Sequence, residues 1–263
     1  MKHTEKILVT SLKGGVGKST VSAALAAAFA GMGSRVLLCD LDFRARSLEL
    51  MLGAAEKTAF NLCDYINGKC DAGSVLVTVP VRAGLLLFCP APDEDSFGVN
   101  GPFGLDSVPF AVSDLAMKAE ADVVILDTGA ESTIPRVLCR DFAETVLVVS
   151  EQSRTSIRAA EITADKLSRI NEKIDIKLVI NDFDVDLANR KVRAGLLEMI
   201  DDAAIRCVGV IPHDSSIPLI ADSGVLPTFG PVAAAAENTA KRIRGENVPL
   251  FQGVGKLRRR IRL

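Results

Sequence analysis

The chain has 263 residues, 48% of them hydrophobic and 24% charged, with a formal net charge of −2, which is enough apolar material to bury the core of one α/β domain. No apolar run approaches the roughly 18 residues of a spanning helix, and MKHTEK leads into a strand without a signal-peptide core, so a cytoplasmic protein is expected. The six cysteines contain no C-x-x-C pair and lie mostly in apolar runs, which argues against a disulfide or zinc framework.

The first apolar run, Ile7 to Val9, is followed by Lys13 to Thr20, KGGVGKST, and then by the alanine-rich segment Val21 to Ala30. A strand that breaks at glycines and resumes as a helix leaves backbone N–H groups aimed at one point, where the positive end of the helix dipole also falls. That point suits a phosphate. Gly14, Gly15 and Gly17 leave the backbone open to approach, with Val16 between them. Lys18 can reach the β and γ phosphates, Ser19 is placed for Mg²⁺, and Thr20 completes the turn. A nucleoside triphosphate with Mg²⁺ is the expected ligand.

The second run, Val36 to Cys39, ends in Asp40-Leu41-Asp42. Two carboxylates one residue apart can share one side of an extended segment, with one in the Mg²⁺ shell and the other on a water beside the γ-phosphate. Asp42 is the better candidate for orienting that water. Val75 to Val81 is β-like, with its place in the sheet left open, and Leu85 to Cys89 is a further strand. Asp93 to Pro109 carries glycines and prolines without periodicity and reads as a surface loop.

Val123 to Leu126 runs into Asp127, the pattern of aliphatics that fixes a metal-supporting acid behind a phosphate loop. Strands over Val146 to Val149, Leu178 to Ile180 and Val208 to Ile211 follow, the last two running into Asn181 and Pro212. Continuous apolar strands separated by helical stretches predict a doubly wound, mostly parallel α/β sheet with helices on both faces. Such sheets bind ligands at the carboxyl ends of their strands. Asp40, Asp127, Asn181 and Pro212 all fall there. His213 reads as an exposed loop residue, since phosphoryl transfer with Mg²⁺ needs no histidine.

The last stretch is unlike the rest. From Gly245 onward there are five basic residues and one acidic, a net of +4, which leaves 26 basic and 32 acidic residues in the body. An acidic body argues against broad DNA binding. Phe251, Val254, Leu257 and Ile261 fall roughly along one helical face, so residues 246–263 read as a basic amphipathic tail after a domain spanning 1–245. Paired tails on an anionic membrane surface are the preferred reading, and a solvated or nucleic-acid-binding basic end is the alternative.

The KGGVGKST stretch, with Leu12 where the general phosphate-loop pattern has glycine and Lys13 added, resembles the deviant Walker A box of the MinD/ParA family of P-loop ATPases. The resemblance covers nearly the whole chain. DLDFRARSLE resembles the family's switch segment, with Asp42 at the proposed catalytic aspartate and Arg46 in register, but with Arg44 in place of glycine and Glu49 in place of aspartate. Asp127-Thr128-Gly129-Ala130 is closer to the MinD-like regulators of flagellar number. The resemblance implies ATP hydrolysis with Mg²⁺ held by Ser19, Asp42 and Asp127, and catalysis by Lys13, Lys18 and Asp42. It also implies an adenine site at Asn181, Pro212 and Asp214, and an ATP-dependent homodimer in which Lys13 touches the partner's phosphates. A protein activator and a peripheral place on the inner face of the cell membrane are further implications. A DNA-partition ATPase, a flagellar-number regulator, a weakly hydrolysing regulator and an iron–sulfur electron carrier using Cys89 and Cys139 are the alternatives.

Overall fold

The computed structural model describes residues 3–92, 104–130, 133–252 and 257. Its strands are β1 Glu5–Thr10, β2 Arg35–Leu41, β3 Val77–Val79, β4 Leu85–Cys89, β5 Val123–Thr128, β6 Thr145–Glu151, β7 Asp175–Phe183 and β8 Arg206–Pro212. The helices are α1 Lys18–Gly31, α2 Ser47–Met51, α3 Leu62–Ile66, α4 Ala72–Val75, α5 Val108–Lys118, α6 Thr133–Asp141 and α7 Arg154–Ser168. They continue with α8 Val185–Asn189, α9 Leu196–Ala203, α10 Ile217–Asp222 and α11 Gly230–Ile243.

The strands form one sheet in the order β3-β4-β2-β5-β1-β6-β7-β8, parallel except for β3. Aliphatic residues on successive positions bury both faces of the central strands, and every residue of β5 is buried. This is the doubly wound architecture expected from the alternation of apolar runs. Because the chain winds outward from β1 in both directions, the phosphate-loop candidate sits at the topological switch point. Helix α1 is alanine-rich, so it can lie close against the sheet, and most of its residues are buried.

Three expectations change. Within Val75 to Val81 only Val77–Val79 is a strand; it pairs antiparallel with β4 at the sheet edge, while Ala72–Val75 closes a helical turn. The stretch Asp93 to Pro109 lies outside the described residues up to 103, and its end is not loop: Val108 and Pro109 open α5 and are buried. Phe251 does not belong to a membrane-facing series. It is 2% exposed and packs edge-on against Phe183 with ring centroids 6.0 Å apart. A buried phenylalanine gains on the order of 2 kcal/mol over an exposed one, which favours the core over the tail. Leu257 is partly buried against the same core, and Val254 and Ile261 lie outside the described residues.

Candidate nucleotide site

Between β1 and α1 the backbone takes up the conformation that the glycines permit. Gly15 and Gly17 have φ of 75° and 83°, values that L side chains rarely adopt. A Cβ on Gly17 would also collide with the Asn181 amide. Gly17 is the N-cap of α1, which has neither a side-chain cap nor an acidic residue in its first turn. The first N–H groups of the helix are therefore left for an anion. Lys18 is 7% exposed, and burial lowers its pKa while the charges of Asp127 and Asp42 oppose the shift. A desolvated ammonium beside free helix amides is a strong counter-charge for phosphate.

Asp127 is fully buried and receives two hydroxyls: Ser19 Oγ donates to Oδ2 at 2.6 Å and Ser22 Oγ to Oδ1 at 2.8 Å. Burial pushes its pKa up to about 6, against the lowering effect of both hydroxyls and of Lys18. The donor set fits Mg²⁺, because a hydroxyl and a carboxylate are hard oxygens already held side by side. Ser22 had no motif to mark it. Its signal is helical spacing, three residues beyond Ser19 on the face that meets β5.

Asp40 and Asp127 are register partners on β2 and β5. Asp40 is buried, and its pKa is raised well above the ordinary carboxylate value by desolvation and then by the charge of Asp127. Its oxygens accept N–H bonds from Asp42 at 2.9 Å and Leu48 at 3.3 Å, tying down both ends of the loop that carries Asp42. The pairing of Asp40 with Asp42 on one side of a strand does not occur, because β2 ends at Leu41 and Asp42 leaves the ladder. Asp40 positions the loop. Asp42 Oδ1 accepts from the N–H groups of Arg44 at 3.3 Å and Ala45 at 3.1 Å, and it lies where a Cβ on Gly129 would stand 3.0 Å away. The switch-like segment that carries Asp42 and the stretch after Asp127 thus meet at Asp42 and Gly129.

Lys13 lies outside this cluster. Its ammonium donates to the carboxylate of Glu151 and to Ser153 Oγ at 3.2 Å, with Thr155 Oγ1 at 3.4 Å. Within one chain, then, the extra lysine faces its own β6 end. Glu151 was not singled out from the sequence: it closes β6 on the same sheet edge as Asp40 and Asp127, but Ser150 separates it from the apolar run, whereas those two acids follow their runs directly.

Asn181 is brought to the phosphate loop, where its Nδ2 donates to the Val16 carbonyl at 3.0 Å. It braces the loop with its amide nitrogen. Pro212 ends β8, and Asp214 accepts from the N–H and hydroxyl of Ser216 at 2.9 and 2.6 Å, so Asp214 shapes its own turn. His213 is exposed, as expected, with Nδ1 2.6 Å from Asp182 Oδ1. Thr20 follows Ser19 in the first turn of α1, and Gly14 approaches Ala130.

Known proteins resemble this chain over most of its length. The septum site-determining protein MinD of Thermotoga maritima is 30% identical over 93% of this chain and 89% of its own. The antiactivator FleN of Pseudomonas aeruginosa is 32% identical over 82% of this chain and 76% of its own. Among solved structures, the MinC:MinD cell division protein complex of Aquifex aeolicus has a TM-score of 0.82 at 24% identity, covering 94% of this chain and 98% of that one, a likeness of fold. The description "CobQ/CobB/MinD/ParA nucleotide binding domain" matches residues 7–227. With more than four-fifths of its length inside that match, the chain belongs to the CobQ/CobB/MinD/ParA nucleotide-binding family, in its MinD/ParA branch of P-loop ATPases.

Proposed function

We propose that this chain is a MinD-like ATPase that binds and hydrolyses ATP with Mg²⁺ and pairs with a second copy when ATP is bound. In that form it associates reversibly with an anionic membrane surface on the cytoplasmic side, to position a cellular structure such as the division site. One observation carries the reading: Lys18, Ser19, Asp127 and Asp42 converge at one sheet edge, with a second lysine beside them. Ser19 and Asp127 would hold Mg²⁺, which neutralises charge on the phosphate oxygens when bound. Lys18 offsets phosphate charge, Asp42 orients the attacking water, and Lys13 leaves Glu151 to serve the partner's site. Catalysis of this kind is positioning and electrostatics.

Asn181, Pro212 and Asp214 are the residues proposed for the adenine. The names of the relatives support septum placement, and the MinC:MinD complex supports a protein partner for this chain as well. DNA is the less favoured partner, because the body carries the acidic surplus. A second reading, a regulator with little turnover, is favoured by Arg44 in the Asp42 loop and by the likeness to an antiactivator. Phosphate release with Mg²⁺, together with vesicle sedimentation in ATP and ADP, tests the proposal. Absence of affinity for any purine triphosphate would end it, and binding without turnover would favour the regulator.

A further inference from the structure

Far from the phosphate loop in sequence, but on the same sheet edge, Arg190, Lys191 and Arg193 place three exposed cations within four residues. Among the described residues none of the three is in a salt bridge. Two apolar side chains stand out beside them, Val192 at 68% and Leu197 at 74% exposure. Leu197 belongs to α9, whose Leu196 and Met199 face the core, so its exposure follows from helical phase.

This turn is held in shape. Lys191 N–H donates to Ala188 O at 3.1 Å and Val192 N–H to Leu187 O at 3.0 Å. Buried Gln152 closes its base: Nε2 donates to Ala194 O at 2.9 Å and to Asp184 O at 3.3 Å, while Oε1 accepts from Asp184 N–H at 3.0 Å. Gln152 follows Glu151, the residue that holds Lys13. The root of the tail is also close. Phe251 packs on Phe183, and only Asp184 and the five residues of α8, roughly 8 Å of helix, separate Phe183 from Arg190.

We infer that the Arg190–Arg193 turn, with Val192 and Leu197 as apolar tips, is a second contact with an anionic membrane surface, carried by the folded body beside the root of the tail. The inference rests on the membrane reading above and adds the surface that makes the contact. Cations alone would suit lipid headgroups or a nucleic-acid backbone equally. Exposed aliphatic tips among them gain by entering the headgroup–acyl boundary and gain nothing against phosphodiesters. With Phe251 taken into the core, the tail has lost the bulkiest residue of its apolar face, and a body-borne contact compensates in part. Glu198, on the same helix as Leu197, is engaged by Arg154 at 3.6 Å, which limits its repulsion of an acidic surface.

The test is sedimentation of the full chain, with ATP and Mg²⁺, on vesicles of phosphatidylcholine with and without phosphatidylserine. Each cation near an anionic surface contributes roughly a fivefold factor, so replacing Arg190, Lys191 and Arg193 together by alanine should weaken binding by on the order of a hundredfold. Replacing Arg190 and Arg193 by lysine, with Lys191 kept, should retain most of it. Val192→Asp, with the cations intact, should weaken binding as well. If the wild type binds the anionic vesicles and only truncation after Gln252 abolishes that, with the triple alanine variant unchanged, this inference fails and the membrane reading stands. If the wild type binds no vesicle, both fail. If the triple variant loses retention on DNA and keeps its vesicle affinity, the turn serves a nucleic acid and the inference is overturned.

Discussion

Lys13, in the loop that follows β1, and Glu151, at the end of the neighbouring strand β6, are paired within a single chain. Both side chains are about one-third exposed, and ion pairs so placed contribute on the order of 1 kcal/mol or less. Such a pair holds the lysine in the monomer but gives way to a stronger counter-charge. A triphosphate bound to a second copy is one.

If the ammonium must leave Glu151 to reach the partner's phosphates, removing the acid should favour association. Glu151→Gln is expected to lower the ATP concentration needed for dimerisation by up to about fivefold. Lys13→Ala should lose ATP-dependent dimerisation or hydrolysis while monomer affinity for nucleotide is kept. Sedimentation velocity with a nonhydrolysable ATP analogue reads both. Normal turnover by Lys13→Ala would reject the cross-subunit role.

Asp42 has two tasks in this structure, shaping its loop through Oδ1 and offering charge beside Lys18, and two substitutions separate them. Asp42→Asn keeps an oxygen for the Arg44 and Ala45 amides and removes the charge; Asp42→Ala removes both. Each should bind ATP and slow phosphate release by on the order of a hundredfold. A normal rate for both variants would take Asp42 out of the reaction. A normal rate for Asp42→Asn alone would leave it a loop-shaping role.

The strand ends were legible because the signal was local: an aliphatic run broken by one polar residue marks a buried edge, and Asp127 and Asn181 stand there as read. The glycine turn was legible for a similar reason, since positive φ at Gly15 and Gly17 needs no tertiary information. Asp40 and Asp42 could not be told apart from the sequence, because two residues of equal chemistry are separated by where a strand ends, which the pairing of β2 with β5 decides. Glu151 and Ser22 were missed because each matters through a partner more than 100 residues away in sequence. Phe251 was misread because periodicity alone does not say whether an apolar face meets lipid or a neighbouring Phe183.

Gly129 is a test of how closely the Asp42 loop and the stretch after Asp127 must fit. A methyl group there would stand 3.0 Å from Asp42 Oδ1, tight enough that the carboxylate has to move by a few tenths of an ångström. Gly129→Ala is therefore expected to reduce kcat several-fold with little change in ATP affinity. Combined with Asp42→Ala it should cost little more than Asp42→Ala alone, because the residue it displaces is gone. Additive losses in this double-mutant cycle would show that Gly129 acts elsewhere.

The nucleotide-free protein should lose stability as pH rises through the range in which Asp127 is reluctant to ionise. Burial raises its pKa from 3.8 to about 6 in the folded chain, so between those values the unfolded chain has released its proton and the folded chain retains it. Below about pH 4 both states are protonated and the penalty is absent. Above about pH 6 both are ionised and it is fully present, at about 3 kcal/mol for a shift of this size. Asp40, raised in the same direction by burial and by Asp127, adds to the trend. Urea unfolding at pH 5 and pH 7.5 should show the difference, and Asp127→Asn should flatten it while abolishing Mg²⁺-dependent turnover. Bound Mg²⁺ selects the ionised carboxylate, so metal affinity should fall as pH drops below about 6. Stability rising with pH between 4 and 6 would mean that the carboxylate is stabilised in its charged form, and the burial account of this site would be wrong.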